Sequence, residues 1–246
     1  MRDNISGTGF VRRGVAKRRS VPTTIGNNEA WRKVGKDDVM EFEDETLGAP
    51  MEMLDIVDAD GNPTGRTVDR VTAHREGIPH RTAHLWLVRR SPYGVLQILL
   101  QKRAAQKDSF PGCYDISSAG HIPAGSDILE SALRELREEL GVEARPEELR
   151  YLGKRHIHTE SVFHGAPFLN DQVSFVYWME CPLDESSFRT QPSEVESVRW
   201  MGLENCIRGV REHAFPNCLS AEELHWLQAC GTDLSNGGAG IRNAAP

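Results

Sequence analysis

What this sequence lacks narrows its class. No apolar run approaches the roughly 20 residues that cross a bilayer, so no membrane partner is expected. The N-terminus carries no apolar stretch of the kind a secretion signal needs. The five cysteines, Cys113, Cys181, Cys206, Cys218 and Cys230, are odd in number and scattered, and none forms a Cys-x-x-Cys pair. That argues against a disulfide framework and against a cysteine zinc site. A reducing, cytoplasmic compartment follows as the default. Positive charge is also short: 29 Lys and Arg stand against 36 Asp and Glu, a net charge of −7. Such a balance gives no reason to expect a nucleic-acid polymer as partner.

Hydrophobic residues make up 39% of the 246, slightly low for a globular chain, and the deficit is assigned to the ends. Residues 1–20 hold six basic side chains against the single acid Asp3, and residues 37–45, DDVMEFEDE, hold six acids. Without a sustained hydrophobic period, residues 1–50 are expected to be a disordered extension. Their Arg-rich, acid-poor start is also compatible with an organelle transit peptide. Residues 231–246 read as a disordered tail by composition. One domain is expected over residues 51–230.

Within it, residues 51–70 read as strand, turn and strand around DADGNPTG. Residues 84–90 and 95–103 read as a hairpin around SPYG. Later strands are expected at 150–158, 172–181 and 193–202, and helices at 203–214 and 220–231. Strands before and after one central helix predict an α+β sandwich with a mixed sheet.

The central helix lies in GHIPAGSDILESALRELREELGV, residues 120–142. Ser126 or Asp127 suits its N-cap and Gly141 its C-terminal stop. Leu129, Leu133, Leu136 and Leu140 form an apolar stripe. At about 100° per residue, Glu135, Glu138 and Glu139 are expected together on the face turned away from it. Like charges so spaced repel. A solvated acidic face is the common outcome of such a cluster. Here a glycine loop precedes the helix, and Gly120 can bring a backbone carbonyl close. Carboxylates plus a carbonyl make an oxygen-only site suited to Mg²⁺ or Mn²⁺, with positions left for a diphosphate and water.

These residues resemble the Nudix box: Gly, five residues, Glu, seven residues, then Arg-Glu-apolar-x-Glu-Glu-x-Gly-apolar. Gly120, Arg134, Glu135, Leu136, Glu138, Glu139, Gly141 and Val142 match in register, and the resemblance extends over about residues 51–215. It implies a Nudix-type α/β/α sandwich with a mixed central sheet and a catalytic loop-helix. It also implies hydrolysis of a small-molecule diphosphate linked to a moiety X. Carried over, Glu138 and Glu139 would ligate metal, Glu135 would ligate metal or act as base, the Gly120 carbonyl would complete the shell, and Arg134 would orient a glutamate. The family has Glu where this chain has Ser126, a departure that bears on loop rigidity and metal affinity. Asp127 stands next to it.

The flanks, TAHREGIPHRTAHLWLV and LLQKRAAQKDSFPGCYDISSAGH, resemble the branch similar to type I isopentenyl diphosphate isomerase. In that enzyme, histidines matching His74, His80 and His121 bind a metal together with two downstream glutamates. All three histidines are kept here. The isomerase's catalytic cysteine falls at Ala119 and its glutamates near Asn170 and Gln172, so the alkene's proton donors and acceptors are missing. His74, His80 and His121 are therefore candidates for a second metal, and His80 equally for substrate binding. Lys102, Arg103 and Lys107 are candidates to contact the diphosphate, as the matching residues do in relatives. A solvated loop accounts for them equally well.

His156, His158 and Glu160 alternate onto one strand face, expected to be a polar outward face. Glu160 is also a candidate general base. Cys113 is expected to be a packed thiol, and Trp86, Trp178 and Trp200 core residues. The isomerase, and a diphosphate-binding module without catalysis, remain alternatives to the hydrolase. Monomer and homodimer are both compatible with the resemblance.

Overall fold

The computed structural model describes residues 51–163 and 165–231, with the backbone of two short strands before them. The chain divides into two units, Met1–Pro50 and Met51–Pro246. In the first, β1 (Glu29–Ala30) pairs antiparallel with β2 (Glu43–Asp44). The remainder of the expected extension and nearly all of the expected tail lie outside the described residues.

The second unit opens with the hairpin β3 (Met53–Val57) and β4 (Pro63–Asp69). The turn is closed by Asp58, whose Oδ1 accepts from the backbone of Asp60 and Asn62, both at 2.9 Å. The short helix α1 (Arg70–Glu76) follows, where the sequence reading had none. Asp69 caps it by accepting from Thr72 N at 2.9 Å, and Gly77 ends it at φ 65°. Both signals were present in DRVTAHREG, but seven residues are too few to display a helical period.

The central sheet runs β11 (Val195–Gly202), β6 (Leu96–Arg103), β5 (His80–Arg90), β10 (Ala166–Glu180), β9 (Arg150–Phe163). Two short strands join it: β7 (Tyr114–Asp115) on β6 and β8 (Ser118–His121) on β5. The β5–β10 pair is parallel and the others are antiparallel, so the sheet is mixed as expected. β9 and β10 form a hairpin longer than expected, pairing as far as Phe163 and Ala166.

Alternation along β5 and β10 sorts the core into two layers. Ala83, Leu85, Leu87, Val173, Phe175 and Tyr177 face α2 (Ile128–Leu140). Trp86, Val88, Val176 and Trp178 face α3 (Leu203–Arg211) and α4 (Ala221–Cys230). Helices therefore cover both faces of the sheet. Trp86, Trp178 and Trp200 are buried, as expected. No helix among the described residues is long and apolar enough to cross a membrane.

Candidate active site

Helix α2 begins at Asp127, whose Oδ1 accepts from Leu129 N at 2.8 Å and Glu130 N at 3.1 Å. It ends at Gly141, at φ 68°. Its leucine stripe packs on the core as expected, with Leu136 and Leu140 in it and Leu129 and Leu133 against it, but the buried face is wider. Leu136 and Leu140 are buried, but so are Ser131, Ala132 and Glu139, whereas Leu129 and Leu133 are only half-buried. The expectation that the three glutamates share an outward face is therefore corrected. Glu138 is exposed, Glu135 half-buried and Glu139 buried. The cause is β8, which packs under the helix with small residues. Ser118 gives Glu139 a hydrogen bond, Oγ to Oε2 at 2.8 Å. Gly120 leaves room for Glu135, since a Cβ at that position would collide with its carboxyl group.

These carboxyls sit in a costly place. Burial pushes Glu139 up to about 8, against the Ser118 hydrogen bond, and nearby Glu135 adds to the rise. Burial likewise pushes Glu135 up to about 7, opposed by Arg134 and reinforced by Glu138. Arg134 Nη2 donates to Glu135 Oε1 at 2.7 Å. Two adjacent carboxyls are thus held where burial outweighs the charge of Arg134 and Lys107, with Glu135 packed into the gap that Gly120 leaves. This donor set fits a hard divalent cation.

The loop from Gly120 to the helix is braced from β3. Asp55 Oδ2 accepts from Gly125 N at 2.9 Å and from the Arg81 guanidinium at 2.8 Å, and Ala124 N donates to Met53 O at 2.8 Å. Asp55 is buried and stands far away in sequence, so nothing local pointed to it. It holds a loop in which Ser126 departs from the box.

The predicted cations lie at the end of β6 and in the loop after it, and each has an acidic partner. Lys102 Nζ is 2.7 Å from Glu196 Oε1, and Arg103 Nη1 is 3.0 Å from Asp115 Oδ2. Arg103 Nη2 also donates to Ser109 O at 2.9 Å. Lys107 pairs with Glu194, and its charge favours ionisation of Glu139. Glu194 and Glu196 come from β11 and the turn before it, a pairing invisible before the sheet order is known.

On the other face of β8, His74, His80 and His121 converge, with ligand atoms all within 4.8 Å. His74 Nε2 lies 3.1 Å from His121 Nε2. His80 is fully buried; its Nδ1 meets Ile78 O at 2.9 Å and its Nε2 has no partner. Burial lowers all three, His74 to about 4. Neutral imidazoles are ligands rather than cations. Phe168 stacks on His74 at 4.4 Å, and buried Asn170 Oδ1 also lacks a partner.

His156 and His158 point outward with Glu160, as expected. His156 Nε2 and His158 Nδ1 meet Asp171 at 2.6 and 3.2 Å, a partner supplied by the neighbouring strand and unseen in the sequence. Glu160 lies 3.8 Å from His158 on the exposed part of the hairpin. Cys113 is half-buried, and burial raises its thiol.

Comparison with known proteins gives the family and the fold. A family model described as the NUDIX domain matches residues 79–216, more than half of the chain. The Arabidopsis thaliana protein named Nudix hydrolase 3 is 37% identical over 155 residues, 62% of this chain but 19% of that protein. An isopentenyl-diphosphate Delta-isomerase from Escherichia coli is 30% identical over 156 residues, 63% of this chain and 79% of the enzyme. Among solved structures, that of DR0079 from Deinococcus radiodurans is similar in fold, with a TM-score of 0.50 at 22% identity. The match covers 71% of this chain and 98% of that one.

Proposed function

The chain belongs to the Nudix family, and from that premise we propose that it is a Mg²⁺- or Mn²⁺-dependent hydrolase of a small diphosphate-linked molecule, cleaving a phosphoanhydride or phosphate ester. The observation that carries this reading is the carboxyl pair of α2, half-buried Glu135 against Gly120 and buried Glu139 against Ser118, both raised by burial. Glu135, Glu138, Glu139 and the Gly120 carbonyl would hold the cation. A divalent ion there would neutralise the carboxylates, activate water and stabilise charge developing on phosphate oxygens.

The protein's own groups then divide the remaining work. Arg134 fixes the Glu135 carboxyl through its 2.7 Å hydrogen bond, so that Glu135 is oriented to ligate or to take a proton. Ser118 fixes Glu139. Arg103, Lys102 and Lys107 would contact the diphosphate. Arg103 is held by Asp115 and Ser109, which pre-sets its guanidinium. Lys102 and Lys107 would exchange Glu196 and Glu194 for phosphate oxygens.

Two further readings concern the opposite face. The convergence of three neutral imidazoles, with His80 Nε2 buried and unpartnered, favours a second metal at His74, His80 and His121, of the borderline transition type. Isomerisation of isopentenyl diphosphate is disfavoured: Ala119 stands in place of the isomerase's cysteine, and Gln172 in place of one of its glutamates.

The deciding experiment is phosphate release from isopentenyl diphosphate, a nucleoside diphosphate sugar and simple nucleotides, with Mg²⁺, with chelator, and with Glu138→Gln. Release that needs the metal and falls at least 100-fold in the variant is expected. Conversion of isopentenyl diphosphate to its isomer without hydrolysis would overturn the reading. Tight binding without turnover would favour a binding module.

A further inference from the structure

Strand β11 is an edge of the central sheet. Its Arg199 and Met201 pair with Leu100 and Ile98 of β6, which belong to the layer under α3 and α4. Directly opposed residues share a face. Arg199 and Met201 therefore stand on the side turned away from the carboxyls of α2. A cavity of about 380 Å³ opens there between β11, α3 and Tyr114 of β7. That is room for a small ligand.

The fold fixes the walls of this cavity. Gly209 lets the Phe215 ring lie against α3, since a Cβ there would stand 2.5 Å from it. Phe215 meets Tyr114 edge to face, with 5.7 Å between ring centroids. The chain around Phe215 is tied to β7: Tyr114 N donates to Pro216 O at 2.9 Å, and Cys218 N donates to Tyr114 O at 3.0 Å. With Met201, the two rings give the cavity an apolar lining. Its charged lining is mostly cationic. Arg208 Nη2 donates to Asn205 Oδ1 at 2.7 Å, which orients the guanidinium. Arg199 is exposed and has no hydrogen-bond or ion-pair partner among the described residues. The one carboxylate in the lining, Glu212, accepts from Arg211 Nη2 at 3.3 Å.

We propose that this cavity binds a phosphate monoester carried on a flat aromatic group, the chemistry of a nucleoside monophosphate. Arg199 and Arg208 take the phosphate, and the ring lies on the lining made by Met201, Phe215 and Tyr114. Two guanidiniums in one cavity call for a doubly charged head. A phosphate monoester supplies nearly two charges at neutral pH and three acceptor oxygens, whereas a carboxylate supplies one charge. A thioether and two aromatic rings favour a flat, polarisable body over a sugar alone. The site is on the other face of the sheet from Gly120, Glu135 and Glu139 and needs no metal, so it does not rest on the hydrolase reading.

The test is calorimetry on the full chain in the presence of chelator, with adenosine monophosphate, adenosine and inorganic phosphate as probes. Methyl-labelled methionines are followed by NMR in the same titrations, and Met201→Leu assigns the Met201 signal. Adenosine monophosphate should saturate a single site, bind about tenfold tighter or more than either part alone, and move the Met201 methyl resonance. Arg199→Gln should weaken that binding about tenfold or more. Its melting temperature and any Mg²⁺-dependent phosphate release should match wild type. Glu138→Gln should bind the nucleotide as wild type does. No saturable binding, an unmoved Met201 methyl, adenosine binding as tightly, or full affinity in Arg199→Gln would overturn the proposal. Affinity lost in Glu138→Gln would put the nucleotide at the carboxyls of α2 and overturn it too. If Arg199→Gln does not fold, Arg208→Gln and the wild-type methyl shift decide.

Discussion

At Gly120 a missing side chain does the work. The strand must pass so close to α2 that Glu135 fills the space a Cβ would take. Conformational freedom is not the issue there, since the residue has no left-handed backbone to excuse. Gly120→Ala should therefore displace the Glu135 carboxyl from Arg134. A displacement of about 1 Å in a group acting on the reaction can cost about 100-fold in rate. We expect kcat/KM to fall by roughly that factor while the fold loses about 1–3 kcal/mol. Steady-state kinetics beside a urea titration would check both. A variant as active as wild type would show that Glu135 need not sit where it does. The glycine was legible in the sequence because its spacing to the glutamates matched a known pattern. Its reason was not, because the close approach depends on how β8 docks under the helix.

Among the elements, those long enough to show a period between strong caps were readable, and those too short, like α1, or defined by distant partners were not. Helix α2 was readable because Asp127 and Gly141 bracket it. The burial of Glu139 was hidden because an isolated helix does not say which neighbour it will meet, and Ser118 is 21 residues earlier. Helix α4 shows the same limit. Its Glu223 looks like an ordinary first-turn acid, yet it sits under the sheet, bonded to His84, Trp86 and Arg155 from two strands. Burial alone would raise its pKa; His84, Trp86 and Arg155 outweigh burial and lower it to about 2 from 4.5. A carboxyl whose folded pKa is depressed contributes stability above its unfolded pKa and loses it as pH falls through the folded one. The window is thus from about 4.5 down to about 2, and the contribution is roughly 3 kcal/mol. Denaturant titrations across that range should show wild type losing stability more steeply than Glu223→Gln, which starts weaker at neutral pH. Parallel curves would mean the cluster does not anchor α4.

Across the whole molecule, one short strand borders two clusters of donor side chains because alternate residues face opposite ways. Ser118 and Gly120 of β8 meet the carboxyls of α2, while Ala119 and His121 face the imidazole side. The two donor sets differ in hardness: carboxyl oxygens on one face, neutral ring nitrogens on the other. Hard Mg²⁺ should prefer the first, and borderline Co²⁺ or Zn²⁺ the second. Metal content after dialysis, and the visible spectrum of the Co²⁺ form, separate them. Wild type should retain one equivalent of Co²⁺ with a nitrogen-ligand spectrum, lost in His121→Ala and kept in Glu138→Gln. The Mg²⁺ requirement for phosphate release should follow the opposite pattern, failing in Glu138→Gln. Unchanged Co²⁺ occupancy in His121→Ala would sink the second site. The three histidines would then be a buried, hydrogen-bonded cluster stacked on Phe168, and unpartnered His80 Nε2 would have to be satisfied by water or substrate instead.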